Sequence, residues 1–317
     1  MKPVHNYSET NLKAQGVQLI PITTPLGEFK VWTKRTGHNP NAKVLILHGG
    51  PGATHELYEA FDDWFPEAGI EYYYYDQLGS YFSDQPEEKS LWELNRFVDE
   101  VEQVRNALKL DSSNFFLYGQ SWGGLLAMEY ALKYQQHLKG LIISNMMSSV
   151  PEYTRYNREV LAKQLPLEVM EELFSIEEKK DFSNPRYMQL LMKYHYPQHV
   201  LRKPAEEWPD SVNRTFEHLN ENVYVPMQGQ SEFGVTRGAK LEFWDRSAEL
   251  HKIHVPVLTI GAAFDTMDPE HMRRMAAQFP KGTHLHCPHG SHLALYDDPR
   301  TYFEGMIQFI NGVSALK

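Results

Sequence analysis

Cysteine is almost absent from this chain of 317 residues, which contains only Cys287. A single thiol excludes an intrachain disulfide and is typical of proteins from reducing compartments. The sequence has no run of about 18 apolar residues that could span a bilayer. Its first residues also show no apolar core of the signal-peptide type. We therefore expect a cytoplasmic protein with no membrane partner.

Dense runs of Lys and Arg are missing as well, and the formal net charge is −10. Proteins that bind nucleic acids usually present a basic face, so we expect no nucleic-acid partner. The content of hydrophobic residues is 42% and that of charged residues 23%, which is typical of a soluble globular protein. These values favour a soluble enzyme that acts on small or cationic ligands.

Short apolar runs alternate with helical patterns along most of the chain. Residues 17–33 suggest two strands around a turn, and later runs suit strands buried on both faces of a parallel sheet. These runs lie at residues 44–47, 72–75, 115–118, 141–143 and 257–260, with a last strand near 284–286. Apolar residues between 94 and 108 recur at spacings of three and four, which indicates a helix. The alternation predicts an α/β fold with a mostly parallel central sheet flanked by helices.

The alternation stops between residues 150 and 245. This stretch is rich in Pro, Tyr and Met, and its patterns are mostly helical. We interpret it as a helical cap, or lid, inserted into a catalytic domain formed by residues 1–149 and 246–317.

A serine lies between glycines where an apolar strand run gives way to a helical pattern. The segment Gly119-Gln120-Ser121-Trp122-Gly123 matches G-x-S-x-G, a tight strand-to-helix turn that exposes a nucleophilic serine. The glycines prevent clashes within the turn. Ser121 is therefore the candidate nucleophile, and the backbone N–H of Trp122 is a candidate oxyanion donor.

A serine nucleophile needs a base and an acid that orients the base, and in this fold the chain order is Ser, Asp or Glu, then His. Asp265 follows a late strand and a glycine, and it is the candidate acid. Asp268 is the competitor, although its position before Pro269 is better suited to a helix cap.

The histidine should follow the next strand, where four histidines occur between residues 284 and 292. His292 follows a Gly-Ser loop and is the candidate base, with His289 as the alternative. His284 and His286 alternate along a strand and lack a second group of ligands with suitable spacing, so we predict no metal site.

The segment His48-Gly49-Gly50-Pro51-Gly52 directly follows another buried strand. Glycines allow a backbone to approach a substrate carbonyl closely, so Gly50 is the candidate second oxyanion donor, with Gly49 next. His48 itself is interpreted as a structural residue.

Taken together, HGGPG, YYYDQLGS, GQSWGG, GAAFDTMDP and GSH resemble the prolyl aminopeptidases, or proline iminopeptidases, of the α/β-hydrolase superfamily. The resemblance extends from about residue 20 to the C-terminus. It implies release of an N-terminal residue, usually proline, from short peptides through Ser121, His292 and Asp265. It also implies that no cofactor or metal is needed.

The resemblance further implies a carboxylate in the cap that binds the α-amine of the substrate. The segment containing Glu232 resembles the family's NEF-type segment, so Glu232 is the candidate amine ligand. Phe233, an aromatic residue of the cap, is a candidate substrate contact, and packing within the cap or core is the alternative for its ring. Two positions depart from the family pattern. Thr266 stands where some members have a second Glu, and Leu78 where many have Arg or Phe.

Two other functions compete with this hypothesis. An esterase, amidase or lactonase could use the same triad on another small acyl substrate, and such an enzyme needs no carboxylate for an amine. A binding protein without catalysis usually lacks a triad residue, whereas all three positions are filled here.

Overall fold

A computed structural model of the chain describes residues 16–315. Its centre is a sheet of eight strands in the order β1-β2-β4-β3-β5-β6-β7-β8. The first two strands are antiparallel to their neighbours, and all later pairs are parallel. The strands are β1 Val17–Thr24, β2 Gly27–Thr36, β3 Lys43–Leu47, β4 Glu71–Asp76, β5 Phe115–Gln120, β6 Gly140–Ser144, β7 Val257–Ala262 and β8 Gly282–Cys287.

Both faces of the central strands are buried, which explains their continuous apolar runs. In β3, Leu45 and Leu47 point into one hydrophobic cluster, while Val44 and Ile46 point into another on the opposite face. This alternation follows from the two-residue period of a strand. The helices that cover the two faces therefore each enclose a separate core.

Eleven α-helices lie within residues 16–315. Those next to the sheet are α1 Leu94–Leu108, α2 Trp122–Tyr134, α9 Pro269–Gln278, α10 Ala294–Asp297 and α11 Pro299–Ala315. The helix α9 begins where its sequence predicts, because the Asp268 side chain accepts a hydrogen bond from the N–H of Glu270. None of the helices in this range is long and apolar enough to cross a membrane.

The remaining helices lie between β6 and β7. They are α3 Val150–Tyr156, α4 Leu167–Glu178, α5 Pro185–Tyr194, α6 Tyr196–His199, α7 Asp210–Glu217 and α8 Glu221–Met227. The chain enters and leaves this region at adjacent points, since Ser149 and Asp245 form an antiparallel bridge. The helical region is thus attached to the sheet through neighbouring connections.

Candidate active site

Each candidate catalytic residue follows the carboxyl end of a parallel strand. The loop that begins at His48 follows β3, Ser121 follows β5, Asp265 follows β7 and His292 follows β8. Parallel strands place their carboxyl ends at one edge of the sheet. Residues that are far apart in the sequence therefore lie together at this edge.

Ser121 occupies the turn between β5 and α2 in a strained conformation, with φ 55° and ψ −127°. The turn is crowded: a Cβ on Gly119 would lie 2.0 Å from the Gly123 carbonyl oxygen. A Cβ on Gly123 would lie 2.2 Å from the carbonyl oxygen of Leu47. Both glycines are therefore required by packing, whereas nothing in the turn requires a serine between them. This geometry fits the sharp turn that exposes a nucleophile.

Asp265 and His292 form a buried hydrogen-bonded pair. The Nδ1 atom of His292 lies 2.8 Å from Oδ1 of Asp265. Asp265 also accepts hydrogen bonds from Nδ2 of Asn145 at 2.6 Å and from the N–H of Met267 at 3.1 Å. Since Nδ1–H of His292 donates to the carboxylate, Nε2 remains as the basic nitrogen of the ring.

The electrostatics of this pair favour the protonated imidazole. Burial is the largest influence on His292 and by itself lowers the pKa of the ring. The negative charge of Asp265 and its hydrogen bond outweigh burial, so the pKa of His292 is raised above its ordinary value. The site therefore stabilises the charged form that a general base acquires when it accepts a proton.

The loop after β3 is held by the imidazole of His48, which is fully buried. Its Nε2 accepts from the N–H of Gln77 at 3.0 Å, so the proton lies on Nδ1, which donates to the Gly49 carbonyl at 2.8 Å. Burial lowers the pKa of His48, which keeps the ring neutral as these two bonds require. Gln77 also accepts from Nε1–H of Trp122 at 2.9 Å and so connects this loop to the serine turn.

The three candidate oxyanion donors differ in what their N–H groups contact. The N–H of Gly49 donates to the Tyr58 hydroxyl at 2.9 Å and is already engaged. Within residues 16–315, the N–H groups of Gly50 and Trp122 have no acceptor. Gly50 and Trp122 therefore remain suitable as a pair of donors, and Gly49 does not.

Ser121 and His292 line a common cavity of about 300 Å³ at the junction of the sheet and the helical region. Glu232, which is 9% exposed, lines the same cavity from the helical side. One of its oxygens, Oε1, accepts from the Tyr224 hydroxyl at 2.6 Å. The other, Oε2, is buried and has no partner among the described residues. The cavity is thus lined by the candidate nucleophile, the candidate base and a glutamate with one unpaired carboxylate oxygen among the described residues.

Comparisons with known proteins show the family and the fold. A family model for the alpha/beta hydrolase fold matches residues 43–299. A proline iminopeptidase of Flavobacterium johnsoniae is 55% identical over 94% of this chain and 99% of its own length. One of Elizabethkingia meningoseptica is 56% identical over 94% of this chain and 99% of its own. The crystal structure of a Mycobacterium smegmatis proline iminopeptidase has a TM-score of 0.81 and 26% identity, covering 93% of this chain and 98% of that one.

The chain belongs to the proline iminopeptidases of the α/β-hydrolase fold. This membership confirms the resemblance based on the motifs, the predicted fold and the prediction that the chain is an enzyme.

Of the two roles considered for Phe233 in this iminopeptidase, the structure favours packing over contact with the substrate. Its side chain is fully buried and does not line the cavity. It packs against the ring of His195, with centroids 4.8 Å apart, and under the guanidinium of Arg158 at 4.9 Å. Phe233 therefore anchors the segment that carries Glu232 and does not contact the substrate space.

Three tyrosines that the sequence analysis missed hold Glu232. Besides the Tyr224 contact, the N–H of Glu232 donates to the Tyr196 hydroxyl at 3.1 Å, and the Tyr153 hydroxyl donates to the Glu232 carbonyl at 3.2 Å. The tyrosines come from α3, α6 and α8. No local pattern marks them, because Tyr153 and Tyr196 are 79 and 36 positions from Glu232, and the helix that carries Tyr224 ends at Met227, before Glu232.

Thr266, which replaces the second Glu of some family members, is fully buried beside the acid and the base. Its Oγ1 lies 3.2 Å from Nδ1 of His292 and 3.4 Å from Oδ1 of Asp265. It adds no charge to the cavity, so Glu232 is the buried carboxylate available to a cationic ligand there. Among the described residues, no three His, Cys, Asp or Glu side chains are grouped so as to hold a metal ion.

Proposed function

We propose that this chain is a serine exopeptidase that releases N-terminal proline from short peptides. The observation that carries the proposal is that Ser121, His292 and Glu232 line one cavity, and that Oε2 of Glu232 has no partner among the described residues. A cavity of about 300 Å³ suits a small residue and the bond that follows it. The names of the relatives, proline iminopeptidases at 55% and 56% identity, support the same substrate.

In the proposed mechanism, Oγ of Ser121 attacks the carbonyl carbon of the first residue while Nε2 of His292 removes the hydroxyl proton. Asp265 orients the ring and stabilises the imidazolium. The N–H groups of Gly50 and Trp122 bind the oxyanion. His292 then protonates the leaving amine, which departs and leaves an acyl-enzyme. Water, activated by the same imidazole, hydrolyses this intermediate.

Glu232 is the proposed ligand of the substrate's α-amine. A buried carboxylate oxygen without a partner is unfavourable, and a cationic ammonium group in the cavity supplies both a charge and an N–H donor. The contacts of Glu232 with Tyr153, Tyr196 and Tyr224 fix its position before substrate binds. An amine held there identifies the first residue of a peptide, which explains why an exopeptidase needs this group.

We further propose that residues 150–245 form the cap over a catalytic domain made by the rest of the chain. The N–H of Val150 donates to the Trp244 carbonyl at 2.9 Å, and that of Arg246 donates to the Ser148 carbonyl at 2.8 Å. These bonds bring both boundaries of the region together. A cap attached in this way restricts the cavity to short peptides.

The third part of the proposal is a cytoplasmic location. It is supported by the thiol of Cys287, which is fully buried. Burial raises the pKa of this thiol, so it stays protonated and unreactive. Neither the chain's composition nor this residue requires an oxidising compartment.

The test compares proline β-naphthylamide with its N-acetylated form. We expect the wild-type enzyme to cleave the free amine and not the blocked one, because acetylation removes the charge that Glu232 binds. Glu232→Gln should lower kcat/KM for the free amine by about 10- to 100-fold, which corresponds to the free energy of a hydrogen bond to a charged group. Acylation by p-nitrophenyl acetate, which has no amine, should be unchanged.

Glu221→Gln is the matched control, since Glu221 is an exposed carboxylate lining the same cavity. It should have a much smaller effect than Glu232→Gln. Equal cleavage of the free and blocked substrates would instead identify an esterase or amidase, and the exopeptidase proposal would be abandoned.

A further inference from the structure

A chain of hydrogen bonds connects the glycine loop after β3 to the loop that carries His292. The N–H of Gly49 donates to the Tyr58 hydroxyl oxygen at 2.9 Å. The Tyr58 hydroxyl donates to Oε1 of Gln120 at 2.9 Å. Nε2 of Gln120 donates to the backbone carbonyl of His292 at 3.0 Å. The chain passes through the residue directly before Ser121.

The direction of each bond is determined by its partners. A backbone N–H can only donate, so the Tyr58 oxygen accepts from Gly49 and its own proton is free for Gln120. If the Gln120 amide were rotated by 180°, its oxygen would face the His292 carbonyl oxygen and two acceptors would oppose each other. The observed orientation is therefore the only one that satisfies all four groups.

The link at Tyr58 is closed off from the cavity, because Tyr58 is buried and does not line it, whereas Gly49, Gln120 and His292 do. Tyr58 is 0% exposed, Gln120 1% and His292 3%. Removing one hydroxyl in such a place leaves a donor and an acceptor without partners. The loops on either side would then shift to find new ones.

We propose that Tyr58 and Gln120 are positioning residues that fix the relative positions of three segments. These are the glycine loop after β3, the turn that carries Ser121 and the loop that carries His292. Tyr58 fixes the N–H of Gly49, while His48 fixes its carbonyl, so the peptide that presents the N–H of Gly50 is held from both sides. Gln120 fixes the backbone of the base. The proposal rests on the assigned roles of Ser121, His292 and Gly50, but not on the substrate being a proline peptide.

Tyr58→Phe tests this proposal with little change in packing. The ring of Tyr58 contacts Phe61 and Tyr118 edge to face, and Phe keeps these contacts. Tyr58 does not line the cavity, so its loss removes no substrate contact. We expect kcat and the rate of acylation by p-nitrophenyl acetate to fall by about 10- to 100-fold, as for small misplacements of reacting groups. KM for proline β-naphthylamide should stay unchanged, since Glu232 and the cap are untouched.

Tyr130→Phe is the matched control. Tyr130 is also buried, and its hydroxyl donates to Glu102 at 2.7 Å on the helices α1 and α2, outside the cavity lining. It should keep wild-type kcat while losing a comparable hydrogen bond. If Tyr130→Phe and Tyr58→Phe lower kcat equally, the effect of Tyr58 is general stability and the proposal is overturned.

A double-mutant cycle with Gln120→Met completes the test. Met has a similar shape without the amide, so the two substitutions break the same chain and their losses in kcat should be less than additive. Additive losses would overturn the coupling. The ester assay also separates this proposal from the proposed function: a wild-type enzyme acylated by the ester but inactive on proline substrates refutes only the exopeptidase assignment.

Discussion

Ser121 and Glu232 line the same cavity but are held there by different means. Ser121 follows β5, whose backbone pairs with β3 and β6. The residue directly before it, Gln120, donates a buried hydrogen bond to the backbone of His292. Glu232 lies between α8 and β7 outside any helix or strand, and tyrosine side chains hold it. The sheet side combines strand pairing with side-chain hydrogen bonds such as those of Tyr58 and Gln120, whereas Glu232 is held by side chains without a strand or helix of its own.

This difference separates two tasks. The sheet edge brings together the groups proposed to make and break bonds, and small displacements there should change kcat. The proposed cap presents a carboxylate that we propose binds the amine, and changes there should act on the binding of one class of substrate. Substitutions on each side can therefore test whether the tasks are as separate as the structure implies.

The largest effect is expected for Ser121→Ala, which should lower kcat on the order of 10⁶-fold. Alanine also has a Cβ, so the strain of the turn at φ 55° is unchanged and the fold should be retained. Peptides with N-terminal proline should still bind, since Glu232 is intact, and calorimetry can measure this. Reaction of the variant with a serine-directed phosphonate would show that another residue is the nucleophile.

A smaller loss, about 10⁴-fold in kcat, is expected for Asp265→Asn. Asp265 accepts from N–H groups of His292, Asn145 and Met267 and from the Thr266 hydroxyl, so an amide nitrogen in its place must face a donor. The charge that raises the pKa of His292 is also lost. Because catalysis needs the neutral ring, wild-type kcat/KM should fall as the pH drops through this raised pKa. In the variant, that acidic limb should move to lower pH.

Asp268→Asn is the control for this substitution, because Asp268 was the competing candidate acid. Its side chain caps α9, and Asn is an equally good cap. The variant should retain the wild-type pH profile of kcat/KM. A loss as large as that of Asp265→Asn would reassign the acid of the triad.

The sheet side was also the part that could be predicted from the sequence. Buried strands, the crowded glycines around Ser121 and the Asp-Pro start of α9 each have a local physical cause within a few residues. Asp265 and His292 could be selected because chain order and strand ends limit the choices. The structure brings these two side chains to 2.8 Å, as expected of an acid and its base.

The cap side and the links between loops could not be predicted in the same way. Glu232 was identified only through a resemblance, and the candidate role of its neighbour Phe233 as a substrate contact does not fit the buried position of its ring. Tyr58 contacts a residue 62 positions away, and Tyr153 contacts one 79 positions away. Such contacts depend on how whole elements pack, and no periodicity or motif encodes them.

The smallest effect is expected for Tyr224→Phe, which tests how far the cap side depends on side-chain support. The substitution removes the hydrogen bond to Oε1 of Glu232 and keeps the ring, which should weaken substrate positioning by about 1 kcal/mol. We expect kcat/KM for proline β-naphthylamide to fall about fivefold, with acylation by p-nitrophenyl acetate unchanged. Tyr130→Phe should affect neither reaction. If Tyr224→Phe slows both reactions by the same factor, the cap also positions the reacting groups, and the two sides of the cavity do not act separately.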